Sequence, residues 1–145
     1  MIREMTIQDY DQMVELWSAI EGLAISGADS KSNIDFYLKR NKGFSFVYEA
    51  DGRIAGTILC GHDGRRGFIY HVAVKPEFRN QNIGQQMADL CLGKLKEAGI
   101  EKCHIFVLDD NEGGNRFWSR TGWEKRSGFS VYSRDTEGTS GSVQN

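Results

Sequence analysis

The residues best placed for chemistry lie in one stretch, Val74 to Met87, which reads VKPEFRNQNIGQQM. An apolar strand runs into Pro76, which ends it, and helical spacing resumes by Gln85. Between them the chain presents a run of backbone amides entering a helix. The first amides of a helix lack carbonyl partners and stand at the positive end of its dipole, so a pyrophosphate can accept several hydrogen bonds there. Arg79 adds a formal positive charge at the mouth of this loop, and Asn80, Gln81 and Asn82 add neutral donors. Ile83 can lock the helix onto a sheet, and Gly84 lets backbone approach phosphate with no side chain in between. Standing alone, a loop with one glycine is more often a plain strand-to-helix connection.

A second set of residues follows at a fixed distance: Asn111, Trp118, Gly122 and Trp123, spaced N-x6-W-x3-G-W. With it, VAVKPEFRNQNIGQQM resembles the acyl-coenzyme A signature of the GNAT superfamily of N-acyltransferases, a strand, then R-x-x-G-x-G/A, then a helix. The resemblance runs from the first strand to the last. Arg79 and Gly84 fall in register, and Asn82 stands where the family's first glycine would be. Asparagine is the non-glycine residue most tolerant of a positive φ, so the turn can survive.

The resemblance implies a bound acyl donor and assigns positions to it. Val72, Ala73 and Val74 match the strand that pairs its backbone with pantetheine, a form of strand addition. Arg79, Asn80, Gln81, Asn82, Ile83, Gly84 and Gln85 match the phosphate loop. Asn111 resembles the residue that contacts the pantetheine arm, and Phe117 and Trp118 lie on the helix that packs along the cofactor. Trp118 stands where most members carry a tyrosine that protonates the departing thiolate, a task an indole cannot perform. Phe106 stands where some relatives place a glutamate base.

The implied reaction is direct attack of a neutral amine on the thioester, with the oxyanion held by a backbone amide between Val72 and Val74. His71, Tyr70, Glu21 or a water chain could accept the amine's proton, His71 being nearest the expected thioester. Tyr70 and Tyr132 are the candidates to return one. The function expected is therefore transfer of an acetyl group from acetyl-coenzyme A to a primary amine of a small molecule or protein. The rival is a non-catalytic acyl-coenzyme A binding or sensing module.

These residues need elements to position them. Met1 to Met5 suits a first strand, and Thr6 could cap a helix whose Met13, Leu16, Trp17 and Ile20 share a face. Ser30 or Ser32 could cap a second helix with Ile34, Tyr37 and Leu38 inward. Phe44 to Glu49, Arg53 to Gly61 and Gly67 to Lys75 read as a meander joined at Asp51-Gly52 and Asp63-Gly64. A helix over Gln85 to Ala98 carries Met87, Leu90, Cys91, Leu95 and Ala98 on or near one face and stops at Gly99. Lys102 to Leu108 reads as a buried strand, followed by a helix of about ten residues from Glu112 and a last strand around Phe129 to Ser133. The fold class expected is α/β and GNAT-like, a mixed, mostly antiparallel sheet of six to seven strands flanked by about four helices. One domain is expected over residues 1–134, and residues 135–145, almost without apolar side chains, read as a disordered tail.

Composition narrows the remaining classes. The 145 residues fit one core, and the formal charge of −2 offers no general attraction to nucleic acid or an anionic membrane. Cys60, Cys91 and Cys103 are an odd number without a CxxC pattern, and His62, His71 and His104 lack ligand spacing, so no metal site is expected. Reduced thiols and the lack of a membrane-length apolar run or signal-peptide core point to the cytoplasm. The partners implied are acetyl-coenzyme A and an amine acceptor whose identity the residues leave open, with a homodimer allowed.

Overall fold

A computed structural model describes residues 1–137, so most of the expected tail, residues 138–145, lies outside the described residues. The chain divides into two compact units, Met1–Glu112 and Gly113–Asn145.

The first unit is built on a five-stranded sheet in the order β1-β2-β3-β4-β5: Ile2–Glu4, Phe46–Ala50, Arg53–His62, Gly67–Val74 and Cys103–Ile105. The first three pairings are antiparallel and β4 with β5 is parallel, so the sheet is mixed. Asp51 and Gly52 both take positive φ, 54° and 76°, which gives the β2–β3 hairpin the turn whose twist matches its strands. At the β3–β4 turn the Asp63 carboxylate accepts from the amides of Arg65 and Arg66, each at 2.8 Å. Those bonds, the one from Arg66 foremost, hold its carboxyl below the usual carboxylate range.

β3 is covered on both faces, which is why its sequence is almost continuously apolar. Toward one face Leu59 packs with Met13, Leu16 and Trp17 of α1 (Tyr10–Ala19), and with Ile34 of α2 (Lys31–Arg40). Toward the other, Gly56 lies against Met87 of α3 (Ile83–Glu97), and Gly67 of β4 lies against Leu95. The helix α3 is the crossover that makes β4 and β5 parallel. Its buried residues are Ile83, Met87, Ala88, Cys91 and Leu95, whereas Leu90 is 41% exposed and faces outward. Ser30 caps α2 by accepting from the amide of Asn33 at 3.2 Å. All three cysteines are free thiols, and burial pushes Cys103 up to about 12. Among the described residues no helix is long and apolar enough to cross a membrane.

The first strand is tied down by charge. Arg3 pairs with Asp9 at 2.9 Å and with Glu49 at 2.7 Å, and the amide of Thr6 donates to Asp9 at 2.9 Å. Burial alone would raise the Asp9 carboxyl, but the bonds from Arg3 and Thr6 outweigh it and lower its pKa below the ordinary value. Its stabilising contribution is thus complete above the unfolded carboxylate pKa and is lost as pH falls through the folded one. Asp9→Asn is expected to cost about 2 kcal/mol at neutral pH, by urea unfolding. The difference between variant and parent should shrink on acidification below about pH 4.

The helix α4 runs from Glu112 to Arg120, and all of it after its first residue belongs to the second unit. Gly122, with φ 98°, lets the amide of Trp123 reach back to the carbonyl of Trp118 at 3.0 Å, closing the helix. Trp118 is 8% exposed and meets Phe117 and Trp123 edge-on at 4.8 and 5.0 Å.

The expected six to seven strands are corrected to five among the described residues. Phe129 to Ser133 forms no strand, and Phe129 and Val131 are each 67% exposed. Alternation supplies a two-sided strand but not the neighbour whose amides would complete a ladder. Lys102 to Leu108 is likewise a strand only over Cys103–Ile105, with Phe106 and Leu108 exposed, because β4 offers just Gly67 to Ile69 for pairing.

Candidate active site

The site starts from an interruption in β4. Thr57 faces Ala73 and Leu59 faces Tyr70, so Ile58 alone opposes both His71 and Val72. This bulge puts His71 at φ 49°, a left-handed conformation that non-glycine residues seldom adopt. A bulge bends its strand, and β4 parts from β5 immediately before it, the last pair being Ile69 with Ile105. From Tyr70 to Val74 the main chain on that side has no ladder partner among the described residues. An open edge of this kind is a template for an extended ligand.

The end of β4 leads into the loop. The amide of Lys75 bonds the carbonyl of Ala55 at 2.8 Å, a single 3₁₀ turn covers Pro76–Phe78, and Phe78 meets Tyr48 edge-on at 5.7 Å. Arg79 folds back so that its Nε donates to the carbonyl of Val74 at 3.1 Å. That bond fixes a guanidinium at the tip of the open strand. Asn80 and Asn82 both take the left-handed conformation, with φ 63° and 62°. Asn82 thereby adopts the conformation for which glycine is usual, and with it as N-cap α3 starts at Ile83, two residues before the expected start. The first i to i−4 bond of α3 runs from Gln86 to Asn82 at 2.9 Å, so the amides of Ile83, Gly84 and Gln85 precede the helical ladder. Ile83 is 5% exposed and anchors the turn.

Other candidates sit on the same strand. Tyr70 is 39% exposed, stacks on Phe68 and meets Tyr37 edge-on, and burial raises its phenol pKa, so it stays neutral at physiological pH. His71 is pinned: its Nε2 lies 3.0 Å from Asp29 Oδ1 and its ring centroid 4.6 Å from that of Trp17. Val72 and Val74 are half-buried and Ala73 is buried. Glu21 is exposed, and Phe106, at the position some relatives give to a glutamate, is exposed beside Phe68. Asn111 is exposed at the end of the segment after β5, its amide bonded to the carbonyl of Leu108 at 3.0 Å. Phe117, Trp118 and Tyr132 belong to the second unit, where Tyr132 is 95% exposed. Thus His71, Tyr70, Val72 to Val74 and Arg79 to Gln85 come together in one strand-loop-helix segment.

Asp29 escaped the sequence reading. Its only local signal is the spacing Ser26-x-x-Asp29, which suits a capped turn, and the structure has a 3₁₀ turn at Gly27–Asp29. Its pairing with a histidine on β4, with α2, β2 and β3 in between, is tertiary.

Residues 10–123 match the family described as the acetyltransferase (GNAT) family. The chain belongs to that family. As a GNAT acetyltransferase it is an enzyme, and its fold has counterparts of known structure. Ard1 from Thermoplasma volcanium is 20% identical with a TM-score of 0.73, over 84% of this chain and 80% of that one. PaiA N-acetyltransferase from Thermoplasma acidophilum, solved in complex with coenzyme A, is also 20% identical at 0.73, over 84% and 87%. Glucosamine-6-phosphate N-acetyltransferase from Arabidopsis thaliana is 21% identical at 0.66, over 93% and 98%. At such identities the likeness shows the fold alone.

Proposed function

We propose that this GNAT acetyltransferase moves an acetyl group from acetyl-coenzyme A to a primary amine of a small molecule or protein, by direct attack. The carrying observation is the continuity of a strand edge unpaired among the described residues, Tyr70 to Val74, with a helix start whose first amides precede the ladder. The donor set fits the co-substrate: main-chain groups for an amide-rich arm, then three amides, a dipole end and the Arg79 guanidinium for phosphates. In this reading Val72, Ala73 and Val74 align the arm. Asn80, Gln81, Asn82, Ile83, Gly84 and Gln85 surround the phosphates. A main-chain amide between Val72 and Val74 faces the developing oxyanion. Asn111, Phe117 and Trp118 remain proposed contacts along the arm, and Tyr70 and Tyr132 proposed proton donors to the leaving sulfur.

Two measurements test this. Coenzyme A at about 100 times its Kd should stabilise the protein by roughly 2.7 kcal/mol, seen as a rise in Tm. Acetyl-coenzyme A offered with a panel of primary amines should then release free thiol. No Tm shift at millimolar coenzyme A would remove the donor assignment, and binding without thiol release across the panel would favour a sensing module.

A further inference from the structure

Resting on the acetyl-transfer reading, we propose that His71 is the base that takes the proton from the incoming amine and that Asp29 is its positioning residue. The geometry at His71 is over-determined in a way that a packing histidine does not need. Its backbone holds a strained left-handed φ in the bulge, a conformation costing on the order of 1 kcal/mol or more and persisting only where the surroundings enforce it. Three elements supply that enforcement. Trp17 of α1 packs on the ring, Thr57 of β3 donates from Oγ1 to the carbonyl of His71 at 2.9 Å, and the Oδ1 of Asp29 stands 3.0 Å from Nε2.

Asp29 is itself held. Its residue is 7% exposed, its Oδ2 accepts from the amide of Ser26 at 3.1 Å, and its carbonyl accepts from the hydroxyl of Tyr10 at 2.6 Å. A fixed carboxylate on Nε2 decides the tautomer: the proton sits on Nε2 and the lone pair on Nδ1. The ring is not sealed, because 17% of the His71 side chain remains accessible. It sits in the bulge at the opening of the β4 edge, beside the strand proposed to hold the thioester.

The step balances as follows. An alkylammonium gives one proton to Nδ1 of His71, and the resulting imidazolium is stabilised by Asp29. The neutral nitrogen attacks the thioester carbonyl, the C–N bond forms, and the C–S bond breaks with its electron pair going to sulfur. The proposed tyrosine donor gives a proton to that sulfur and takes up the nitrogen's surplus proton in its place, giving amide and thiol, and His71 returns its proton to water.

The test compares the parent with Asp29→Asn and with His71→Asn, the latter chosen because asparagine tolerates a left-handed φ. Nitrogen-15 NMR of the free protein should show His71 as the Nε2–H tautomer in the parent and a changed tautomer in Asp29→Asn. With an alkylamine acceptor, kcat should fall about 100-fold in both variants, with KM for acetyl-coenzyme A unchanged. With an arylhydrazine, neutral at the assay pH, the fall should be less than about 10-fold, since no proton must leave before attack. An Nδ1–H tautomer in the parent, an unchanged kcat, or equal losses with both amines would each overturn the proposal. A parent that turns over neither amine sinks the transfer reading itself, which separates the two failures.

Discussion

Gly84→Val is expected to raise the Kd for acetyl-coenzyme A about 100-fold, a loss of roughly 2.7 kcal/mol, while leaving Tm within a few degrees of the parent. Gly84 is the second residue of α3, and its amide is among those that precede the helical ladder. It is not among the glycines with positive φ, so valine can take the same backbone conformation. Intrinsic helix propensity favours valine over glycine by a few tenths of a kcal/mol, so the fold has little to lose. The ligand has more to lose, because branching at Cβ places methyl groups where, in the proposed reading, phosphate oxygens approach the amides. Isothermal titration and a thermal melt of the same preparations separate the two effects. Unchanged affinity would remove the phosphate-loop assignment, and a collapsed Tm would show Gly84 to be a packing residue instead.

The sequence shows this loop well because its requirements are local. A cation, a run of small polar residues, a glycine and a following helix all fall within one turn of chain, and a left-handed Asn82 is a conformation its own side chain tolerates. The Asp51-Gly52 hairpin is legible for the same reason. The start of α3 is displaced by two residues from the periodic signal, since Asn82 rather than the first apolar repeat sets the cap. What could not be read depends on neighbours. Phe129 to Ser133 alternates well enough for a strand, but alternation is silent on whether a free edge stands beside it. The shortness of β5 follows from the bulge at His71, and a bulge is one unpaired residue with no compositional mark. His71 could be singled out only by its register beside the expected thioester, and its carboxylate partner could not be found at all.

Thr57→Val is expected to destabilise the protein by about 3 kcal/mol, the largest stability effect expected of a near-isosteric change here. Thr57 is fully buried in β3, and its hydroxyl accepts from the indole Nε1 of Trp17 at 2.8 Å while donating to the carbonyl of His71 at 2.9 Å. Valine keeps the shape and removes both functions, leaving the N–H of a wholly buried tryptophan without its acceptor. Trp17→Phe in the same background removes that orphaned donor, so the double variant should lose about 1 kcal/mol less than the two single losses added together. Additive losses would mean that the indole finds another acceptor and that the bond carries little. The coupling should also reach the site. Without the hydroxyl, one of the three restraints on His71 is gone, and a left-handed residue relaxes when its restraints loosen. Thr57→Val is therefore expected to lower kcat well below the temperature at which it unfolds, with KM for acetyl-coenzyme A unchanged. A variant that loses stability but keeps the parent's kcat would place the bulge under the control of Asp29 and Trp17 alone.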